Sequence, residues 1–163
     1  MRRFVAAVVA VACTCGLVVM SSGGAATAAR AQVSSKTVPL IIAKDRRGST
    51  AAIAKVYIHG HPYPFLIDTG ATTTVVNFNL ARKLGLKRVG KLTKVTGVGC
   101  TSSAQGVRIS HWRIGTQPLP PINAVSVKIP MTGGKAISLL GSDLLSRFGA
   151  IRLDYQRAAL TLG

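Results

Sequence analysis

Residues 63–76, with the sequence YPFLIDTGATTTVV, form an apolar run that stops at an Asp-Thr-Gly turn and resumes with β-branched residues. An apolar run that ends at a glycine-containing turn is typical of a buried strand. The pattern therefore places Asp68 at the end of a buried strand, with its carboxylate presented at a turn. The chain has only four acidic residues, Asp45, Asp68, Asp143 and Asp154, and no glutamate. Any reaction that needs a carboxylate must use one of these four.

The N-terminus has the pattern of an export signal. Arg2 and Arg3 precede an uncharged apolar stretch over residues 4–20, and small residues suited to cleavage follow at Ala26-Thr27-Ala28 or Ala29-Arg30-Ala31. We expect residues 1–31 to be a signal peptide with its cleavage region, so that the mature protein is secreted or extracytoplasmic. The alternative is a chain anchored in the membrane by an uncleaved leader, because residues 4–20 reach the lower limit of length that spans a bilayer.

The remaining residues suit one folded domain. Residues 32–50 form either an N-terminal extension or an edge strand with a charged turn, and residues 51–163 form the domain proper. Apolar alternation, turn residues and caps predict the following elements. The first half has a hairpin over 51–67, a strand over 72–76, a helix over 78–84 between Asn77 and Gly85, and a basic connector over 87–94. The second half has a glycine-rich hairpin over 95–103 whose returning strand continues through 112–115, a strand over 122–129, a strand over 136–140 leading into a short helix, and a final hairpin over 150–162. The fold class is therefore all-β with short helices.

The chain is strongly basic, with a formal net charge of +17. Such a charge favours non-specific contact with an anionic cell envelope. Specific nucleic-acid binding is not expected, because no zinc-knuckle spacing or RNP-like aromatic pattern accompanies the charge. No metal site or other cofactor is expected either, since His59 and His61 lack a third ligand of suitable spacing. Gly97-x-Gly99 lacks the third glycine and the following helix of a phosphate-binding loop.

Two motifs lie about seventy residues apart, Leu66-Ile67-Asp68-Thr69-Gly70-Ala71 and Leu139-Leu140-Gly141-Ser142-Asp143-Leu144-Leu145, with the glycine-rich hairpin between them. This combination resembles the retropepsin-like aspartic proteases, specifically their secreted bacterial single-domain members, over roughly residues 51–163. The resemblance implies an acid-protease half-barrel with a flap hairpin, and an aspartic-type endopeptidase acting on peptide or protein substrates.

Carried over to this chain, the resemblance implies three catalytic-site residues: Asp68 as the catalytic acid, Thr69 as the hydroxyl that braces the turn against its symmetry mate, and Gly70 as the backbone beside the carboxylates. It further implies substrate contacts at Ala71 and Thr72 and at the flap tip, Gly97, Val98 and Gly99. Leu140 and Gly141 would pack against the active-site loop. Asp143 matches a structural helix position rather than a catalytic one.

The chemistry of amide hydrolysis requires a second carboxylate. One carboxylate takes a proton from water while another, protonated, polarises the carbonyl group. Asp68 supplies only half of such a site, and the sequence has no second Asp-Thr-Gly. A homodimer that pairs two copies of Asp68 across a two-fold axis is therefore expected. The alternative function is a catalytically silent β-domain that binds peptide or an anionic envelope polymer.

Overall fold

A computed structural model of the protein describes residues 36–97, 100–128 and 137–163, all of them within one compact unit that spans Val33–Gly163. Most of these residues are in strands, which confirms the all-β class. The elements are β1 Lys36–Lys44, β2 Thr50–Ile58, β3 His61–Ile67, β4 Val75–Asn77, α1 Phe78–Lys83, β5 Arg88–Gly97, β6 Cys100–Ile109, β7 Trp112–Ile114, β8 Gln117–Leu119, β9 Ile122–Val127, β10 Ser138–Leu140, α2 Ser142–Leu145 with a 3-10 turn at Ser146–Phe148, β11 Ile151–Asp154 and β12 Ala159–Leu162.

The strands form one open sheet in the order β11-β12-β1-β2-β3-β10-β4-β9-β6-β5, with β7 beside β2 and β8 beside β7. Most neighbours are antiparallel, but β3 pairs with β10 and β4 pairs with β9 in parallel. The antiparallel β5–β6 hairpin is the longest ribbon of the fold. The expected all-β fold with a hairpin and short helices is thus confirmed, and the sheet formed by the described residues is not closed.

The core follows directly from the strand alternation. In β2 every second residue is buried, at Ala52, Ala54, Val56 and Ile58. Because side chains alternate between the two faces of a strand, this period of two turns one face of β2 inward. Trp112 is also buried, and its indole Nε1 donates a hydrogen bond to the carbonyl of Pro120 at 2.9 Å.

The first strand is interior, which makes the edge-strand prediction for residues 32–50 wrong. Residues Lys36–Pro39 of β1 pair with β12, and residues Leu40–Lys44 pair with β2. The partner β12 lies at the far end of the chain, so no local pattern indicates this pairing. The charged turn after β1 is present, since Asp45 accepts hydrogen bonds from the amides of Arg47 and Ser49.

Three other sequence predictions need correction. Residues 72–74 are not part of a strand, because β4 begins at Val75. The basic segment 87–94 is not a connector, since most of it belongs to β5. Trp112 does not continue the strand that returns from the hairpin: His111, with a φ of 54°, separates β6 from β7.

The predicted helix caps and hairpin turns are confirmed. The side chain of Asn77 accepts a hydrogen bond from the amide of Asn79 at 2.9 Å, and Gly85 follows α1 with a φ of 60°. His59 and Gly60 both have positive φ and form the two-residue turn between β2 and β3. Both are exposed, as is His61.

The leader predicted over residues 1–31, Val98 and Gly99 of the predicted flap tip, and residues 129–136 between and at the ends of the strands predicted over 122–129 and 136–140 lie outside the described residues. Within the ranges that the structure describes, no helix is long and apolar enough to cross a membrane.

Candidate active site

The Asp68 turn begins at the junction of two parallel strands. Residues Phe65–Ile67 of β3 pair in parallel with residues Ser138–Leu140 of β10, so both strands end at the same edge of the sheet. The amide of Asp68 continues this ladder by donating to the carbonyl of Leu140 at 3.1 Å. The end of a buried parallel pair therefore fixes the backbone of the acid.

The turn itself orients the carboxylate. Oδ1 of Asp68 accepts hydrogen bonds from the amides of Gly70 at 3.0 Å and Ala71 at 3.2 Å. A Cβ at residue 70 would lie 3.3 Å from this oxygen, which is tight for such a contact, so glycine suits the position. The Asp68 side chain is half-buried, while Thr69, Gly70 and Thr72 are exposed. The loop thus presents a held carboxylate at a surface.

The segment that follows β10 fixes this loop by hydrogen bonds. Ser142 makes two of the bonds: its amide donates to the carbonyl of Ala71 at 2.8 Å, and its hydroxyl donates to the carbonyl of Thr69 at 2.8 Å. These bonds fix the two residues that flank Gly70. The sequence does not mark Ser142 as part of the site, because a serine at the start of a helix is as typical of a helix cap as of a site residue.

Thr74 and Asp143 form the second connection. Oδ1 of Asp143 accepts from the Thr74 amide and from the Thr74 hydroxyl, both at 2.8 Å. The same hydroxyl accepts from the amide of Gly141 at 3.2 Å. Asp143 also accepts from the amide of Leu144 at 2.9 Å, inside its own helix. Asp143 is therefore tied to the end of the active-site loop, a role that the sequence alone assigned only to the local helix.

Gly141 permits the close approach of these two segments. A Cβ at this position would lie 2.6 Å from the carbonyl carbon of Thr73 and 2.8 Å from the nitrogen of Thr74. Both atoms belong to the backbone and have little freedom to move. The resemblance implied that Leu140 and Gly141 pack against the loop, and the structure shows this packing.

The remaining acids are engaged in turns of their own. A backbone hydrogen bond from Ser49 lowers the pKa of Asp45 below its ordinary value of 3.8. A backbone hydrogen bond from Arg157 likewise lowers the pKa of Asp154. Together with Asp143, three of the four acids in the sequence are thus engaged by hydrogen bonds in other parts of the chain. Asp68 likewise accepts amide hydrogen bonds in its own turn, but it alone of the four lies in a loop that Ser142 fixes at the end of β3.

The other predicted substrate-contacting residues belong to a separate element. Gly97 ends β5 and pairs with Cys100, so the tip of the β5–β6 hairpin falls at the predicted place. Within the described residues no hydrogen bond joins Gly97 to the Asp68 loop, whereas Asp68, Thr69, Gly70, Ala71 and Thr72 are consecutive in that loop. The assigned roles of all these residues stay predictions.

Comparisons with known proteins agree with this geometry. A family model described as Aspartyl protease matches residues 54–144. Among curated proteins none matches the chain. The chain is similar to the crystal structure of a retropepsin-like aspartic protease from Rickettsia conorii, with 25% sequence identity and a TM-score of 0.54, covering 80% of this chain and 100% of that one. It is also similar to the EIAV protease complexed with the inhibitor HBY-793, with 24% identity and a TM-score of 0.41, covering 66% of this chain and 95% of that one.

The second similarity is too loose to bear on the site. The family model, however, covers more than half of the chain and includes both the Asp68 turn and the segment that holds it. The chain therefore belongs to the aspartyl protease family and is a retropepsin-like, aspartic-type peptidase.

Proposed function

We propose that the protein is an exported endopeptidase that works as a homodimer, in which one Asp68 from each copy completes the active site. The observation that carries the proposal is the single presented carboxylate. One chain offers Asp68 in an Asp-Thr-Gly turn that Ser142 fixes, whereas Asp45 and Asp154 belong to separate turns and Asp143 is bound to Thr74. The chemistry needs two close carboxylates, and a second copy of the chain supplies the missing one.

The exposed loop supports this pairing. Thr69 and Gly70 are exposed beside the half-buried Asp68, and the bonds from Ser142 keep their backbone fixed. Because this backbone is already fixed, two copies of the surface can associate across a two-fold axis with little loss of conformational entropy. The Thr69 hydroxyl is then available to brace the partner's loop.

In the proposed reaction the two carboxylates share one proton, because two adjacent negative charges repel each other. The ionised carboxylate accepts a proton from water as the water oxygen bonds to the carbonyl carbon of the peptide. The protonated carboxylate donates a hydrogen bond to the carbonyl oxygen. The C–N bond then breaks as the nitrogen takes the proton that the first carboxylate had accepted from water.

Substrate binding is assigned to the loop and the hairpin tip. Ala71 and Thr72 directly follow the Asp68 turn, where their backbone would contact an extended peptide. Gly97, Val98 and Gly99 at the tip of the β5–β6 hairpin would close over the peptide from the other side. Export rests on the leader pattern over residues 1–31, with its two arginines, apolar stretch and small-residue cleavage site.

A subunit-mixing experiment tests the catalyst and the dimer together. Asp68→Asn should lower cleavage of a quenched peptide library by about 10²–10⁴-fold, since it removes general acid–base catalysis. Asp154→Asn makes the same chemical change in a remote turn and should keep full activity. Adding a tenfold excess of Asp68→Asn protein to wild type, with time for exchange, should reduce activity about tenfold by forming mixed dimers. Unchanged activity in the mixture would refute the shared site, and an active Asp68→Asn protein would refute the catalyst.

A further inference from the structure

A basic groove lies between helix α1 and the β5–β6 ribbon, apart from the Asp68 loop. Two adjoining cavities of about 390 and 360 Å³ share Phe78, Leu92, Gln105 and Ser126 in their walls. Each is within the range of volumes typical of ligand pockets. No residue of the Asp68–Thr74 loop or of α2 lines either cavity. The groove is thus distinct from the catalytic site.

The floor of the groove is apolar and its rim is cationic. Ala81, Leu86 and Val107 contribute to the floor, and Leu92 is 67% exposed at its side. Arg82 and Lys128 approach the Phe78 ring, with the charged groups 5.9 and 5.7 Å from its centroid. An apolar floor between cations suits an apolar side chain flanked by negative charges.

Ser126 gives an independent indication of a ligand. The residue is only 3% exposed and lines both cavities, yet its hydroxyl has no hydrogen-bond partner within the described part of the chain. A buried hydroxyl without a partner lowers stability, because it has lost its bonds to water. Such a group is explained when a bound ligand supplies the missing partner.

Strand β5 adds a backbone edge to the groove. It is the last strand of the sheet, and in the described ranges it pairs only with β6. An open strand edge can accept an extended peptide through main-chain hydrogen bonds. The exposed cations Arg88, Lys91 and Lys94 lie along this strand. Edge cations oppose pairing with another copy of this basic chain, and they favour an acidic partner instead.

We propose that the basic groove binds an extended acidic peptide segment. One apolar side chain of the peptide enters beside Leu92, a main-chain carbonyl accepts a hydrogen bond from the Ser126 hydroxyl, and the carboxylates contact the cationic rim. This second site acts independently of Asp68 and of the dimer proposed above. A peptide fits the observations better than a lipid surface, because the strand edge offers hydrogen bonds that acyl chains cannot use.

Fluorescence anisotropy with the Asp68→Asn protein, which leaves the probe intact, tests the peptide chemistry. The probe is a fluorescein-labelled peptide with one leucine between two pairs of glutamates. Replacing the glutamates by glutamine should weaken binding at least about fivefold, through loss of the ion pairs. Replacing the leucine by serine should weaken it about tenfold or more, through loss of apolar burial. Equal binding of either control peptide would overturn the proposal.

Matched variants then locate the site. Arg82→Gln with Arg88→Gln should raise the Kd roughly two- to fivefold per charge. Lys36→Gln with Arg152→Gln removes the same charge at the other end of the sheet and should leave the Kd within about twofold. Equal losses in the two pairs would show a general charge effect and overturn the assignment. Binding to phosphatidylglycerol vesicles without peptide binding would replace it with a lipid surface.

Ser126→Ala separates a binding role from a structural one. Removing an unpartnered buried hydroxyl should raise the Tm by about 3 °C, while the Kd for the glutamate–leucine peptide rises. A purely structural serine would change the Tm alone. An unchanged Kd would therefore remove Ser126 from the proposed site.

Discussion

Replacing Thr74 with valine removes a single hydroxyl from the buried connection between the active-site loop and helix α2. The hydroxyl donates to Oδ1 of Asp143 at 2.8 Å and accepts from the amide of Gly141 at 3.2 Å. The bond to a carboxylate contributes about 1.5–3 kcal/mol, and the orphaned amide costs about 1 kcal/mol or more. Because valine has nearly the shape of threonine, we expect a loss of about 3 kcal/mol in the free energy of unfolding.

Urea unfolding followed by circular dichroism, at a fixed protein concentration, measures this loss. Thr72→Val is the matched control, since Thr72 is exposed in the same loop, and it should change stability by less than about 0.5 kcal/mol. Of two changes at Asp143, Asp143→Asn keeps an acceptor oxygen and should therefore lower the free energy of unfolding less than Asp143→Ala. A Thr74→Val protein as stable as Thr72→Val would refute the assigned connection.

Three further changes test other parts of the fold. Gly141→Ala places a Cβ 2.6 Å from the carbonyl carbon of Thr73, so we expect a loss of more than about 3 kcal/mol, or no soluble folded protein, in the same unfolding assay. Trp112→Phe removes the indole hydrogen bond and leaves a small cavity, and should lower the free energy of unfolding by about 2 kcal/mol; a stability equal to wild type would contradict this packing. The backbone hydrogen bond from Arg157 lowers the pKa of Asp154 below 3.8, so its stabilising effect is present above that pH and is lost as the pH falls through the lower folded value. Asp154→Asn should therefore lose less stability than wild type below pH 3.8, and equal acid sensitivity would show that this turn contributes nothing.

The parts of the fold that the sequence predicts are those with local causes. The apolar run before Asp68, the Asn77 cap and Gly85 after the helix act within a few residues of themselves, so their patterns suffice. The Asp68 turn likewise closes on its own carboxylate through the amides of Gly70 and Ala71. These local features identify the Asp68 turn as the candidate catalytic turn before any coordinates are known.

The features that the sequence does not predict depend on distant partners. Thr74 and its neighbours are β-branched, which is typical of a strand. However, the amide and hydroxyl of Thr74 donate hydrogen bonds to Asp143, 69 positions away. Ser142 reaches Thr69 across 73 positions. β5 is rich in lysine and arginine because it lies at the sheet edge, and its register shifts between Arg88 and Leu92. Charged residues at an exposed edge interrupt the apolar–polar alternation by which a strand is normally recognised.

The pairing of β1 with β12 also has a consequence for the timing of folding. Lys36 lies opposite Leu162, so the sheet joins the two ends of the domain. The supports of the Asp68 loop come from residues 140–143, which are likewise late in the chain. A fold with so many long-range pairings forms slowly, on the order of milliseconds to seconds. While the polypeptide is being made, the Asp68 loop lacks the segment that shapes it, so the unfinished chain has no assembled candidate site.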